Sequence, residues 1–437
     1  MRVAYFTPIS PQKTGISDYS EKEVLPYLNK YIDLDIFIDE NVTPQNTYIF
    51  NNFNIYLYKN FLKTKAEYKT IIYNMGNNSY HKFIYDSLIV NPGITILHDI
   101  YLHGFLGHFT LLKGDGERYI EEFEYCYGEL GRETASKAIK ADIWTKIHGL
   151  EYRYPLIKRV IDNSLGVVCH SNYGVNKVLD ECDSAIVVKI NQPFNISNNF
   201  QYNEYAFIQK IKKKFKLEGR WPIMASFGFI FPHKRFDVIL RSFKIFLTQY
   251  PNAVFLLVGR DSMGVSRLIS NLELQDSVIA TGYAAHKDVL DYLAISDFCI
   301  NLRYPTAGET SRSVLQLMAA EKPVIVSNVG WFSEIPDKCC LKVDVDSYEE
   351  DVLLEYMRLL ASDERLRKQI GKNAREYVQE EHDPQKIARE FYIFIKNVLD
   401  GREYILNKVS KELADMGVKE EDTEIISHLS KRISNII

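Results

Sequence analysis

Residues 298–327 read FCINLRYPTAGETSRSVLQLMAAEKPVIVS. An apolar strand (Phe298–Leu302) stops at a turn, a helix occupies about Ser311–Glu321, and a second apolar strand (Pro323–Ser327) follows at once. This spacing predicts a βαβ unit of a parallel sheet. The turn between the first strand and the helix then lies at the carboxyl edge of the sheet, where open α/β sheets bind their ligands.

The same turn brings an anion site and a carboxylate together. Backbone N–H groups and the positive dipole end at the start of the helix suit a phosphate. Glu309, in the turn itself, is able to contact hydroxyl groups beside that phosphate. A phosphate next to hydroxyls indicates a sugar nucleotide as the ligand.

The composition is that of a globular protein with more than one domain. A chain of 437 residues is too long for a single core, so two domains are expected, with three as the alternative. The net charge of −4 gives no sign of the excess of Lys and Arg with which nucleic-acid-binding proteins bind the phosphate backbone. Six cysteines without a Cys-x-x-Cys pair indicate neither a disulfide framework nor a zinc site.

The sequence predicts a cytoplasmic protein that does not cross a membrane. The chain opens on a predicted strand, which leaves no room for a signal peptide, and no apolar run approaches the roughly 18 residues that span a bilayer. Its 29 Tyr and 24 Phe leave open a peripheral contact with the inner face of a membrane, although filling the cores explains the same residues.

Short apolar runs alternate with helical patterns twice along the chain, which predicts an α/β fold with two Rossmann-like domains. The predicted divisions are a first domain at 1–195 with a helical insertion at about 101–163, a linker at 196–220, a second domain at 221–383, a helix at 384–400 and a helical tail at 401–437. The predicted strands are Val3–Thr7, Asp33–Ile38, Ile55–Tyr58, Thr70–Asn74, Ile94–His98, Val167–His170, Ala185–Ile190, Ile223–Phe227, Val254–Val258, Val278–Thr281, Phe298–Leu302, Val324–Ser327 and Leu341–Val343.

The second half offers cations at the same edge of its sheet. Residues 226–236 read SFGFIFPHKRF: a strand ends, Gly228 lets the backbone turn, and Lys234 and Arg235 precede a helix. A diphosphate leaving group needs such charges, because negative charge builds on its oxygens as the sugar departs. A basic pair before a helix is usually a surface feature, so the signal gains weight only together with the carboxylate turn. Another strand ends at Thr281-Gly282-Tyr283, whose backbone could meet the edge of a base.

The first half carries weaker signals of the same kind. Gly15 permits close approach of a ligand to the backbone, but a plain strand-to-helix loop with Ser17 as N-cap explains the sequence equally well. His98-Asp99 closes the strand Ile94–Leu97 at a carboxyl edge, where a histidine could hydrogen-bond a sugar hydroxyl. Structural histidines are common, and His170-Ser171 is a weaker candidate still.

Several functions are excluded by motifs that the sequence lacks. It has no Gly-x-Gly-x-x-Gly after the first strand, no Gly-x4-Gly-Lys-Ser/Thr and no Gly-x-Ser-x-Gly, which argues against dinucleotide oxidoreductases, P-loop enzymes and α/β-hydrolases. Two Asp-x-Asp pairs, at 33–35 and 344–346, lie in or beside predicted strands, so we assign no metal to them.

Four segments resemble glycosyltransferase family 4, the retaining family with the GT-B fold, in its bacterial-type Gly-Glu-Thr-Ser subgroup. They are the opening strand with its Gly15 loop, Leu97-His98-Asp99, Gly228 with Lys234-Arg235, and Tyr304–Ser311 running into Lys322–Ser327. The resemblance covers roughly residues 1–400. It implies two Rossmann-like domains that face each other across a cleft, with the helix at 384–400 crossing back to the first domain.

The resemblance also implies an activity. A cytoplasmic enzyme of this family moves a hexose from a UDP- or GDP-linked donor to a glycan or lipid-linked acceptor, without a metal or other cofactor. In the retaining reaction the acceptor attacks the face from which the leaving group departs, and a β-phosphate oxygen receives the proton. A role in cell-envelope or surface polysaccharide synthesis is expected by analogy.

Roles for individual residues are carried over from the family by position. Glu309 contacts the hydroxyls of the donor sugar, the amides of Thr310, Ser311 and Arg312 hold the diphosphate, and Lys234 with Arg235 neutralises the leaving group. On the other domain Gly15 approaches donor phosphate or acceptor, and His98, followed by Asp99, lies on the acceptor side over the sugar. The remaining implied donor contacts are Gly228 and Tyr283.

One position departs from the family pattern. The family usually has two glutamates eight positions apart, the second of which holds the ribose, whereas here Gln316 stands seven positions after Glu309. A glutamine oxygen accepts hydrogen bonds from ribose hydroxyls without charge assistance, so a weaker contact is expected.

Two other functions stay open at this stage. A GT-B epimerase or hydrolase acting on sugar nucleotides needs acid and base carboxylates, and the sequence offers no clear set. A non-catalytic relative that only binds nucleotide sugar fits less well, because Lys234 and Glu309 are both present. The sequence does not indicate an oligomeric state.

Overall fold

The structure is a computed structural model that describes residues 1–12, 14–140, 150–196 and 205–416, together with positions 422 and 427. The chain divides into two compact units. Unit 1 contains Met1–Pro193 and Pro384–Ile437, and unit 2 contains Phe194–Asp383.

Unit 1 is built on a sheet of seven parallel strands in the order β3-β2-β1-β4-β5-β6-β7. The strands are β1 Arg2–Phe6, β2 Asp33–Ile38, β3 Asn54–Leu57, β4 Thr70–Met75, β5 Gly93–Leu97, β6 Ser164–Cys169 and β7 Val187–Lys189. The central strands are buried along nearly their whole length, without alternation between a buried and an exposed face, as expected of a parallel sheet that is covered on both faces.

The helices of unit 1 are mostly short. They are α1 Gly15–Asp18, α2 Leu25–Leu28, α3 Thr47–Asn52, α4 Phe61–Thr64, α5 Lys82–Leu88, α6 His103–Phe109, α7 Gly116–Lys140, α8 Leu150–Arg153, α9 Lys158–Asp162 and α10 Asn172–Glu181. Four of them, α6–α9, lie between β5 and β6, in the region of the predicted helical insertion. Residues 141–149 of that region lie outside the described residues.

A buried ion pair holds the helical region in place. Glu122 of α7 accepts hydrogen bonds from Arg159 of α9 at 2.8 Å and from the hydroxyl of Tyr85 of α5 at 2.9 Å. Because Glu122 is buried, its charge is tolerated only while both donors stay in place.

Unit 2 contains a second parallel sheet, of six strands in the order β10-β9-β8-β11-β12-β13. The strands are β8 Ile223–Phe227, β9 Val254–Val258, β10 Val278–Gly282, β11 Phe298–Asn301, β12 Val324–Ser327 and β13 Leu341–Val343. The helices are α11 Tyr205–Lys214, α12 Phe236–Phe246, α13 Val265–Asn271, α14 His286–Ile295, α15 Arg312–Ala319, α16 Gly330–Ser333, α17 Glu349–Ser362 and α18 Glu364–Glu381.

The predicted linker at 196–220 differs from the structure. Residues 197–204 lie outside the described residues, but α11 follows them and is part of unit 2. Ile211 and Leu217 are buried in the core of unit 2, and Lys214 pairs with Asp288 at 2.6 Å and Asp291 at 2.8 Å. The basic run of this segment is therefore one polar face of a packed helix.

The last described helix, α19 Pro384–Asp415, belongs to unit 1. Ile387, Phe391 and Ile395 are buried in the same core as Leu25 and Leu28. The sequence predicts a helix at 384–400 and a separate helical tail from residue 401, whereas the structure has one helix that continues through Gly401.

Among the described residues, no helix is both long and apolar enough to pass through a bilayer. All six cysteines are free thiols. No group of three or more His, Cys, Asp and Glu side chains in the described ranges is arranged to hold a metal ion.

Candidate functional site

The candidate site of unit 2 lies where the strand order reverses. From β8 the chain steps outward to β9 and β10, and it then returns to place β11 on the other side of β8. Because β8 and β11 are adjacent and parallel, the loops that follow them leave the same edge of the sheet. Such a switch point is the usual ligand site of an open α/β sheet. Lys234 follows β8 and Glu309 follows β11.

Lys234 is a buried cation with one carbonyl partner. Its side chain is 5% exposed, and Nζ donates a hydrogen bond to the carbonyl oxygen of Phe227 at 2.8 Å. Burial, with a smaller contribution from the positive charge of Arg303, lowers the pKa of Lys234 to about 7, while Glu309 acts in the opposite direction. An ammonium has three N–H donors, so Lys234 keeps the capacity to bind an anion.

Gly228 makes room for that ammonium. Its φ of 95° is a conformation that other residues rarely adopt, and a Cβ atom there would lie 3.1 Å from Lys234 Nζ. The glycine thus allows both the turn after β8 and the position of the lysine.

Glu309 is oriented by three groups of its own loop. One carboxylate oxygen accepts hydrogen bonds from the Thr306 hydroxyl at 3.0 Å and from the Ala307 N–H at 2.9 Å. The other lies 3.2 Å from Nε of Arg303, an ion pair whose angle is not that of a hydrogen bond. The carboxylate is partly exposed, so it remains accessible to a ligand.

The loops after β8 and β11 are joined by a backbone hydrogen bond. The N–H of Tyr304 donates to the carbonyl of His233 at 2.8 Å, one residue away from Lys234. Because the two loops leave the same edge of the sheet and are joined there, Lys234 and Glu309 belong to one site.

Arg235 is engaged elsewhere. Its guanidinium makes two hydrogen bonds to the buried carboxylate of Glu349, one of them from Nε at 2.8 Å. It also lies 5.8 Å from the centre of the Tyr304 ring. This pairing, 114 positions apart in the chain, connects the start of α12 to the start of α17. The structure therefore gives Arg235 a structural partner, and its contact with a donor stays a prediction.

The start of α15 contains the other predicted phosphate contacts. Ser311 is the N-cap, and its hydroxyl accepts from the N–H of Val314 at 3.4 Å. Thr310 and Ser311 are buried. Arg312 lies 5.3 Å from the centre of the Phe194 ring, and Gln316, on the next turn of α15, is half-buried. Tyr283, just after β10, is 85% exposed.

In unit 1, His98 belongs to an aromatic cluster at the end of β5. Its ring centre lies 4.5 Å from that of Tyr19 and 5.1 Å from that of His170, and Nε2 is 3.3 Å from Oδ1 of Asn74. Burial, with nearby His170 and His81, lowers the pKa of His98 well below its ordinary value. The ring is therefore neutral at physiological pH and is suited to hydrogen bonding rather than to carrying charge.

The other predicted residues of unit 1 lie on loops at this edge. Asp99 accepts a hydrogen bond from the N–H of Asn77 at 2.8 Å, which joins the loops after β4 and β5. Gly15 begins α1, is exposed, and has open space where a Cβ atom would be. The N-cap of α1 is Thr14 rather than the Ser17 of the alternative interpretation, and its hydroxyl accepts from the N–H of Ile16.

Three residues of the unit 2 site were missed by the sequence analysis. Arg303 pairs with Glu309, His233 supports Tyr304, and Glu349 binds Arg235. Arg303 stands inside the stretch that decides the fold, and its place directly after a buried strand was a usable signal. Glu349 had no signal, because its partner is distant in sequence.

Residues 207–377 match the model of a family described as Glycosyl transferases group 1. The matched region covers most of unit 2, including Lys234 and Glu309, and less than half of the chain.

Two curated relatives match parts of the chain. Mannosylfructose-phosphate synthase of Agrobacterium fabrum is 27% identical over 133 residues, which is 28% of this chain and 28% of the relative. N-acetyl-alpha-D-glucosaminyl L-malate synthase of Bacillus anthracis is 24% identical over 218 residues, which is 49% of this chain and 56% of the relative. The chain thus matches about a quarter and about half of the length of these relatives.

A solved structure matches nearly all of the chain. The Anabaena protein HepE, crystallised in complex with UDP, aligns with a TM-score of 0.62 and 15% sequence identity, over 91% of this chain and 100% of that protein. The match confirms the predicted fold class: two Rossmann-like α/β domains of the GT-B type. At this identity it shows the fold alone.

Proposed function

We propose that this protein is a retaining glycosyltransferase of family 4, of the Gly-Glu-Thr-Ser subgroup. It transfers a hexose from a UDP- or GDP-linked donor to a glycan or lipid-linked acceptor. The observation that carries the proposal is the place of Lys234 and Glu309 on two loops that leave the same edge of the unit 2 sheet at its switch point and are joined by the hydrogen bond from Tyr304 N–H to the His233 carbonyl. A cation and a carboxylate at that place match the diphosphate and the adjoining sugar of a nucleoside-diphosphate sugar.

The two residues divide the work on the donor. Lys234 binds a diphosphate oxygen through the N–H donors that the Phe227 carbonyl does not use, and its charge stabilises the leaving group most when the glycosidic bond is breaking. Glu309, held by Thr306, Ala307 and Arg303, accepts hydrogen bonds from hydroxyls of the sugar. The sugar is thereby fixed while the negative charge moves onto the phosphate.

The start of α15 is the second anion site of the proposal. The N-cap at Ser311 orients the helix so that its positive dipole end meets the diphosphate, with the amides of Thr310 and Arg312 beside it. Gln316 on the next turn serves the ribose, and Tyr283 and Gly228 complete the contacts with the donor. Support for a uridine donor comes from HepE, whose structures contain UDP and UDP-glucose.

Retention needs no side-chain base in this proposal. The acceptor hydroxyl attacks from the side on which the diphosphate leaves, and its proton passes to a β-phosphate oxygen. The neutral imidazole of His98 fits a role as hydrogen-bond partner to a sugar hydroxyl, with Asp99 on the acceptor side. Independence of metal is part of the same proposal, because Lys234 and α15 supply the positive charge.

The destination of the sugar is proposed by analogy. An acceptor in cell-envelope or surface polysaccharide synthesis, used by a cytoplasmic enzyme with peripheral membrane contact, agrees with the family. Residues 48–62 of unit 1 support such a contact, because Phe50 and Leu62 in this segment are large, apolar and exposed.

The experiment that tests the proposal measures nucleotide release. UDP-glucose, UDP-N-acetylglucosamine, GDP-mannose and dTDP-glucose are incubated with the protein, with and without a panel of free and lipid-linked sugars. We expect release that depends on an acceptor, with retained anomeric configuration of the product. Isomerised sugar without acceptor supports the epimerase or hydrolase alternative, and tight binding without any release supports the non-catalytic one.

Two variants connect the activity to the site. Lys234→Ala and Glu309→Ala are each expected to lower turnover by a factor of about 10² or more while the protein stays folded. Lys244→Ala and Glu364→Ala are matched controls, because both side chains are exposed and lie outside the site. Wild-type turnover in either site variant removes that residue from the mechanism.

A further inference from the structure

Arg303 is a buried cation that contacts Ser327, Phe332 and Glu309. It follows β11 and is 8% exposed. Its N–H donates to the hydroxyl of Ser327 at 2.9 Å, and its guanidinium lies 5.9 Å from the centre of the Phe332 ring. A charge held this deeply is costly unless it has a partner or a function.

The partner inside the protein is Glu309. The 3.2 Å contact joins Nε of Arg303 to one carboxylate oxygen, while Thr306 and Ala307 hold the other. Arg303 therefore holds the carboxylate oxygen that Thr306 and Ala307 do not contact, and it does so by charge attraction. Since the contact is an ion pair without good hydrogen-bond geometry, the guanidinium retains donors for a further anion.

Arg303 also lies beside the loop after β8, because the N–H of the next residue, Tyr304, donates to the carbonyl of His233 at 2.8 Å. Burial is the main cause that lowers the pKa of Lys234 to about 7 and that of His233 to about 3, and the positive charge of Arg303 acts in the same direction on both. His233 is thus neutral at physiological pH. The rest of the loop between Gly228 and Lys234 is Phe229, Ile230, Phe231 and Pro232, none of them a cation. Arg235, the next residue after Lys234, is paired with Glu349, so the second positive charge available beside Lys234 comes from Arg303.

We propose that Arg303 has two roles in the donor site: it holds Glu309 in place, and it binds the donor diphosphate as the second positive charge. This inference rests on the proposed function. Two buried cations beside a single carboxylate carry excess positive charge, and a diphosphate bridging them removes it. The arrangement selects a pyrophosphate-linked sugar over the free sugar, because only the former satisfies both cations.

The test compares Arg303→Gln, Arg303→Lys and the control Arg241→Gln, whose side chain is on the surface. The dissociation constant of UDP-glucose is measured by calorimetry between pH 6 and 9, and GDP-mannose is used in the same way if it binds more tightly. Arg303→Gln is expected to weaken binding by about tenfold or more. It also moves the pH dependence to higher pH, because Lys234 keeps its proton longer without a cation beside it.

Arg303→Lys keeps a charge and is the variant expected to fold if Arg303→Gln does not. It should bind less tightly than wild type, because an ammonium lacks the planar, forked donors of a guanidinium, but with an unchanged pH dependence of the binding constant. A merely structural residue would alter the affinity without moving that pH dependence.

The outcomes separate the two proposals. If the wild-type protein binds none of the nucleotide sugars, the proposed function and this inference both fall. If the wild type binds and the variants of Arg303 match Arg241→Gln in affinity and in pH dependence, the inference alone is overturned.

Discussion

The protonation of Lys234 depends on the residues around it. Its ammonium is buried beside Arg303, and Glu309 offsets only part of the cost. The pKa of Lys234 of about 7 lies below that of a free lysine, so the folded protein releases this proton more readily than the unfolded chain does. Between that pKa and the ordinary pKa of lysine, this group makes stability rise with pH, because the unfolded state binds the extra proton.

Binding of the donor is expected to reverse the shift. A pyrophosphate placed against Lys234 raises the pKa of the ammonium, so at pH 8 binding of UDP-glucose takes up nearly one proton. The affinity should be flat below pH 7 and should fall above it, by up to about tenfold per pH unit. Calorimetry in two buffers with different enthalpies of protonation measures the uptake. A proton uptake of zero at pH 8 would show that Lys234 does not meet the anion.

The residues that the sequence could predict are those that act through their place in a local pattern. Lys234 and Glu309 each follow an apolar strand, and that is enough to put them on one edge of a parallel sheet. The pairing of Arg235 with Glu349 was beyond prediction, because it depends on how α12 and α17 pack. Of these two adjacent basic residues, Lys234 thus lies in the candidate site, whereas Arg235 connects two helices of unit 2.

At the scale of elements, the loop after β8 packs against Gly259, the residue that follows the neighbouring strand β9. Gly259 follows β9 with a φ of 153°, and a Cβ atom there would come within 2.1 Å of the carbonyl oxygen of Gly228. The contact is between backbones, which cannot move aside as a flexible side chain can. Since Gly228 precedes Lys234, the approach of these two loops helps to hold the site.

Gly259→Ala is therefore expected to damage binding and stability together. The substitution displaces the Gly228 loop, which should cost about 1–3 kcal/mol of unfolding free energy and weaken binding of UDP-glucose. Thermal unfolding and calorimetry measure the two effects.

The matched control is Gly401→Ala, because this glycine is exposed in α19 and a Cβ atom there meets nothing within 4 Å. Its unfolding free energy and its affinity for UDP-glucose should not fall, because alanine has the higher helix propensity. A Gly259→Ala protein with normal stability and affinity would contradict the role of the contact.

Strands were easier to predict than the segments between them. Each predicted strand overlaps an observed one. The central strands of both sheets are buried on both faces and give short, largely apolar runs that few other elements produce, whereas the edge strands β3, β7 and β10 are partly exposed. The segment 205–214 was predicted to be part of a linker, but it is the helix α11 of unit 2. Its cluster of lysines indicates a solvated linker, whereas Ile211 is buried in the core of unit 2 and Phe207 and Ile208 pack against that core.

At the scale of the whole molecule, the chain leaves unit 1 and returns to it. Residues 194–383 form unit 2 as an insertion between β7 and α19 of unit 1. The match to the Glycosyl transferases group 1 model lies in the inserted part. Unit 1 is less complete without its last helix, because Phe391 and Ile395 fill the core beneath α2.

This division predicts that a substitution in α19 weakens unit 1 and leaves donor binding in unit 2 intact. Phe391 is 1% exposed, so Phe391→Ala should lower the stability of unit 1 by about 3–5 kcal/mol. Ile393→Ala is the control on the same helix, because that side chain is 46% exposed. Scanning calorimetry with and without UDP-glucose identifies unit 2 as the transition that the ligand raises. Phe391→Ala should lower the other transition, and a loss confined to the ligand-responsive one would mean that α19 stabilises the donor-binding unit instead.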